Sequence, residues 1–252
     1  MLGTLPGTRR VEQIMGMPIV LDVRDEHVGD DVVQGVFDWF RWVDSTFSTY
    51  KDDSEISRLN RGILALRDAH PDVVEVLDRC ERLCVETDGY FDVHAASADE
   101  LDPSGLVKGW AVDRAAALLD AAGLRNYAVN AAGDMRLRGR AVPELHWRVG
   151  IQHPLEPDRV ARVLDTTDLA VATSGEYARG AHVLDPHTHR PPSGILSVTI
   201  TGPDLATADA YATAAFAMGA GRATHWTARL HGYEAMTILA DGSVLSTPGF
   251  GS

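Results

Sequence analysis

The chain has 252 residues, 45% of them hydrophobic and 23% charged, the balance of a globular protein able to bury one large core or two coupled lobes rather than of a disordered chain. Its formal charge of −13 at pH 7 argues against nucleic acid as a partner, because tracking a phosphate backbone takes clustered Lys and Arg. The opening MLGTLPGTRRVEQIMGM lacks the apolar core of a secretory signal, and no later stretch is long and apolar enough to span a bilayer, so the expectation is a cytoplasmic protein without membrane insertion.

In chain order, residues 19–23 form a short apolar segment. From 30 to 47, Val32, Val33, Val36, Phe40 and Val43 recur at helical spacing and predict an amphipathic helix. Residues 48–51 break the period. Asp53 or Ser54 can then cap a short helix running through Asn60, since their side-chain oxygens accept otherwise unpaired amides. Pro71 and Asp72 open a further helix whose apolar stripe (Val73, Val76, Leu77, Cys80, Leu83, Cys84) carries both cysteines as buried free thiols. The run GWAVDRAAALLDAAGL from Gly109 reads as a helix closed by Gly123, where the missing Cβ permits a left-handed turn. Strand-like pieces follow at 127–130, 147–151, 169–172, 196–201, 235–239 and 243–245, interrupted by an Ala-rich helix at 208–218. Helices early and strands mostly later predict an α+β fold. Without a repeat or linker, one domain spanning 1–252 is the simplest division.

Three constellations could carry chemistry. Asp209 and Thr213, at i and i+4, share a helix face, so two oxygens can meet one hard cation such as Mg²⁺; the competing reading is that Asp209 caps the helix and Thr213 bonds back to a carbonyl. In LDPSGLVKGW, residues 101–110, Asp102 and Lys108 flank Gly105, and a helix beginning just after Lys108 would offer its N-terminus to a phosphate. The Walker spacing is absent, and a surface turn accounts for the same residues. His182, His187 and His189 crowd around Asp185-Pro186; their spacing does not suit a helical zinc site, whereas a single histidine can serve as general base. Ser174, in TSGEY, lacks the surroundings of a nucleophile elbow and reads as a loop residue.

The order of Met15-Gly16, Phe47-Ser48-Thr49-Tyr50, Asp88-Gly89-Tyr90-Phe91-Asp92, DPSGLVKGWAVDRAA, AVNAAGDMRLRG, TSGEY, HVLDPHTH, SVTITGP, ADAYATAAFAMG, Asp241-Gly242 and Pro248-Gly249-Phe250 resembles the ApbE family of FAD:protein FMN transferases. The resemblance implies a single compact domain with a mixed, mostly antiparallel sheet and flanking helices. It also implies a magnesium-dependent enzyme that takes FAD as substrate and moves FMN to a Ser or Thr hydroxyl of an acceptor flavoprotein, releasing AMP. At the matching positions, Met15, Tyr50, Tyr90, Phe91, Asp92, Asp102, Lys108 and Leu184 would contact the flavin nucleotide. Gly105 and Ala212 would offer backbone carbonyls to the metal beside the side chains of Asp209 and Thr213, and His182 would be the catalytic base. Asn130, Gly133 and Asp134 match a turn near the site. The chain departs from the family pattern in a short segment between Asp92 and Asp102, in His189 and Ala132 where glycines are usual, and in lacking the family's lipoprotein signal. A magnesium-dependent FAD pyrophosphatase and a non-catalytic FAD-binding protein would share the same contacts.

Overall fold

The computed structural model describes residues 7–95, 97–175 and 183–251. Its chain opens with a hairpin, β1 (Thr8–Ile14) and β2 (Met17–Val23), whose two-residue turn holds Met15 and Gly16 at φ of +56° and +70°. Helices α1 (Asp30–Phe47), α2 (Glu55–Asn60), α3 (Pro71–Glu86) and α4 (Ser104–Ala121) follow. Ser54 caps α2, its hydroxyl accepting the Ser57 amide at 3.0 Å, and Pro71 opens α3 as the sequence predicts. Cys80 and Cys84 are free thiols, the first buried and the second half-buried.

The remaining elements are β3 (Tyr127–Ala131), β4 (Asp134–Arg138), β5 (Trp147–His153), β6 (Glu156–Thr166), β7 (Leu169–Gly175), β8 (Ile195–Gly202), α5 (Leu205–Ala217), α6 (Gly219–Thr227), β9 (Glu234–Leu239) and β10 (Val244–Ser246). Eight strands form one sheet in the order β1-β2-β3-β4-β7-β8-β9-β10, with each neighbouring pair antiparallel, while β5 and β6 pair apart from it. This is the α+β architecture expected.

Strand alternation sends side chains to opposite faces. In β3, Tyr127, Val129 and Ala131 join the large core under the helices, whereas Ala128 joins a second core with Leu137, Val171, Met236 and Ile238. The β5–β6 hairpin covers that second face with Trp147, Val149, Ile151 and Leu164. The helices therefore pack on one face and the hairpin on the other.

Two helix starts differ from expectation, and both matter for the site. Helix α4 begins at Ser104, so Lys108 lies inside it rather than ahead of it. Helix α5 begins at Leu205, capped by Asp204, whose Oδ1 accepts the Thr207 amide at 2.9 Å. Asp113 of α4 accepts the amides of Leu205 and Ala206 at 2.8 and 2.9 Å. These three bonds satisfy the first turn of α5, so Asp209 is not its cap. They also tie the two helices together. At Gly109 a Cβ would fall 2.5 Å from the Leu205 carbonyl oxygen and 2.9 Å from Ala206 Cα, so only glycine permits this closeness.

Candidate functional site

Where α4 and α5 meet the ends of β4 and β7, a cavity of about 480 Å³ opens. Tyr50, Tyr90, Phe91, Asp92, Asp102, Gly105, Lys108, Leu184, Asp209 and Thr213 all line it. Met15 and Ala212 do not: Met15 sits in the β1–β2 turn against the large core, and Ala212 is buried within α5 one residue before Thr213. His182, together with Glu176 and Tyr177 of the TSGEY segment, lies outside the described residues.

The floor is a charged cluster. Asp209 is only 3% exposed, and its Oδ2 accepts the Gly109 amide at 3.1 Å. Its Oδ1 stands 3.4 Å from Lys108 Nζ. The same ammonium makes a closer ion pair with Oδ2 of Asp134, a residue 2% exposed whose Oδ1 accepts the Thr173 amide at 2.9 Å. Burial pushes the Asp209 carboxyl well above the usual carboxylate range; Lys108 pulls it back, and the neighbouring Asp134 charge adds to the rise.

One turn beyond Asp209, the Thr213 hydroxyl lies 3.4 Å from that of Ser174. A Cβ at Gly105 would stand 3.7 Å from Thr213 Oγ1 and 3.1 Å from Phe91 Cε2. A side chain at Gly105 would therefore press on the Phe91 ring while only touching the Thr213 hydroxyl. The Asp209 carboxylate and the Thr213 hydroxyl, one turn apart on α5 and both lining the cavity, are hard oxygen donors of the kind Mg²⁺ takes when water and phosphate complete its shell. Among the described residues no group of three or more His, Cys, Asp or Glu side chains converges as a metal cluster.

The Asp102 carboxylate accepts the Ser104 amide at 3.0 Å. It therefore occupies part of the α4 N-terminus that the sequence suggests for phosphate, and Lys108 faces carboxylates from the second turn instead. The walls are aromatic. Tyr90 and Phe91 are buried at 8% and 4% exposure, whereas Tyr50 is 97% exposed. His187 meets the Tyr90 ring edge-on, with centroids 4.6 Å apart, and its Nε2 lies 3.0 Å from the Asp88 carbonyl oxygen. Asp185 accepts the His187 amide and the Thr188 hydroxyl, each at 2.9 Å, closing a turn in which His189 adopts φ +54°. A second cavity of about 730 Å³, bordered by Arg190, Arg222 and the start of α6, shares the Tyr90 wall.

Asp134, Thr173 and Ser174 complete the site. Asp134 is carried by the turn Ala132-Gly133, at φ +51° and +106°, with the Gly133 amide bonded to Asn130 Oδ1 at 2.8 Å. The family resemblance implies that this turn lies near the site, but the pairing of Asp134 with Lys108 depends on how β4 meets α4 and has no local signal.

The model of the ApbE family matches residues 15–101 and 94–237. Among curated relatives, the FAD:protein FMN transferase of Vibrio cholerae is 36% identical over 132 residues, covering 48% of this chain and 40% of its own length. That of Rhodobacter capsulatus is 35% identical over 159 residues, covering 60% and 30%. The chain thus spans less than half the length of these two relatives. Among solved structures, the flavin transferase ApbE from Vibrio cholerae superposes with a TM-score of 0.84 at 22% identity, over 96% of this chain and 97% of that one. The ApbE protein from Thermotoga maritima gives 0.84 at 21% identity, with the same coverage.

Proposed function

The chain belongs to the ApbE family, and from that premise we propose that it is, as one domain over 1–252, a magnesium-dependent FAD:protein FMN transferase. The reading is carried by the floor of the cavity. There a buried carboxylate, a hydroxyl and an ammonium stand below aromatic walls, which suits a ligand with a flat ring at one end and a diphosphate in its middle.

In this reading Asp209, Thr213 and the backbone carbonyls of Gly105 and Ala212 would hold Mg²⁺, which supplies neutralisation of the diphosphate charge when bound. Lys108 adds a fixed positive charge from the protein. Phe91, Tyr90 and Tyr50 would cover the flavin, with Asp92, Asp102, Leu184 and Met15 fixing the rest of the nucleotide. The oxygen of an acceptor Ser or Thr forms a bond to the FMN-side phosphorus, the phosphorus–oxygen bond to AMP breaks, and AMP leaves with that electron pair. A base takes the hydroxyl proton, the role assigned to His182; an aliphatic hydroxyl is a poor nucleophile at neutral pH without one. Cytoplasmic acceptors remain part of the proposal, and among the described residues no helix is long and apolar enough to cross a membrane.

The test is incubation with FAD and Mg²⁺, with and without a candidate acceptor flavoprotein. AMP formed together with protein-bound flavin is the expected result. AMP released at the same rate without acceptor would make the protein an FAD pyrophosphatase, and no AMP in either case would make it a flavin-binding protein.

A further inference from the structure

One ammonium between two buried carboxylates is the least ordinary feature of the site, because a lone ion pair would need only one of them. Each carboxylate has its other oxygen fixed by a backbone amide from a different element: Asp134 by Thr173 of β7, Asp209 by Gly109 of α4. Neither can rotate away without abandoning a bond. Lys108 approaches Asp134 more closely, and its 3.4 Å separation from Asp209 exceeds an ordinary charge-assisted hydrogen bond.

We propose that Asp134 is a positioning residue for the transfer: it draws the Lys108 ammonium toward β4 and so leaves the Asp209 carboxylate available to the cation. This rests on the reading of Asp209 as a metal ligand. In a buried site, charges interact far more strongly than in water. Were Asp209 the only carboxylate, Lys108 would close on it, and a divalent ion would have to displace the ammonium. With Asp134 present, a cation can take Asp209 while Lys108 keeps a partner, so no buried charge is stranded. With Asp209 ionised, two carboxylates and one ammonium leave one net negative charge for the incoming ion.

The probe is Mn²⁺, which shares the oxygen-ligand preference of Mg²⁺, titrated into flavin-free protein and followed by electron paramagnetic resonance. Asp134→Asn should weaken Mn²⁺ binding roughly tenfold or more when Lys108 is present, and by less than about threefold in a Lys108→Met background, a strongly non-additive cycle. Equal losses in the two backgrounds would mean that Asp134 acts by its charge or its fold alone, and would overturn the proposal. Asp134→Asn keeps an oxygen for the Thr173 amide and leaves Lys108 paired with Asp209, so it strands no charge and is expected to fold. The two backgrounds decide together: a roughly tenfold loss confined to the protein that keeps Lys108 supports the proposal, and a roughly tenfold loss in both overturns it. If the wild type bound no Mn²⁺ at all, the metal-ligand reading beneath it would fall instead.

Discussion

Tyr50 is almost wholly exposed yet borders the cavity, so its ring has nothing to gain from folding and something to gain from a ligand. Tyr50→Ala should leave stability within about 0.5 kcal/mol, while the FAD dissociation constant, read by flavin fluorescence, rises about tenfold through loss of an aromatic contact. Unchanged affinity would remove Tyr50 from the binding wall. Backbone cost falls on four non-glycine residues among those described, Met15, Asp88, Ala132 and His189, all at left-handed φ. Ala132 and His189, at +51° and +54°, are the two that the resemblance matches to glycines. Both turns hold that φ without the residue that adopts it freely. His189→Gly, at an exposed position, should raise stability by on the order of 1 kcal/mol, measured as a higher thermal midpoint. A fall would mean that the His189 side chain makes a compensating contact.

At the scale of elements, the α4–α5 pair determines where the charges sit. Gly109→Ala gains helix propensity of up to ~1 kcal/mol but drives a Cβ into backbone atoms of α5. Neither Leu205 nor Ala206 can yield there by a side-chain rotation. A net loss of about 1–3 kcal/mol in denaturant unfolding is expected from such overpacking, and an equally stable variant would show that the helices can part freely. The cap of α5 also makes stability depend on acid. Burial alone would raise the Asp204 pKa, but hydrogen bonds from Tyr233 and Thr207 and the Arg79 charge outweigh it and hold the group below the ordinary carboxylate range. A depressed folded pKa adds stability above the unfolded value of about 3.9 and loses it as pH falls through the folded one. Asp204→Asn keeps a capping oxygen but no charge. Its thermal midpoint should lie below that of the wild type at neutral pH and converge with it in acid; a constant gap would exclude this origin.

Much of this was legible locally, and the exceptions have physical reasons. The span of α1 and the Ser54 cap follow from apolar spacing and capping chemistry alone. The early starts of α4 and α5 do not, because Pro103, Gly105 and Gly109 read as a turn until α5 is there to pack against. Strands β1 and β6 are rich in charged residues, and α6 begins Gly-Ala-Gly, so propensity hides all three. At the site, motif order points to most of the residues lining the cavity. It is silent on the Lys108–Asp134 pair, which exists only once sheet and helices have closed.

For the whole molecule, the assembly of that floor has a consequence in time. The Gly109–Asp209 bond joins residues 100 apart in the chain, and the Arg79–Asp204 bond that helps seat α5 joins residues 125 apart. Contacts of such separation form slowly, after the local helices. In refolding, part of the far-ultraviolet helical signal should therefore return before the protein can bind Mn²⁺ or FAD, and simultaneous recovery would show that the floor forms with the first helices. During synthesis the order is stricter still, since chains emerge from the N-terminus. A ribosome-bound chain can display Tyr50, Phe91 and Lys108 while Asp209 has yet to be translated. Under the proposed reading such a chain lacks the carboxylate of the metal site, so scission of the dinucleotide would wait for a nearly finished polypeptide.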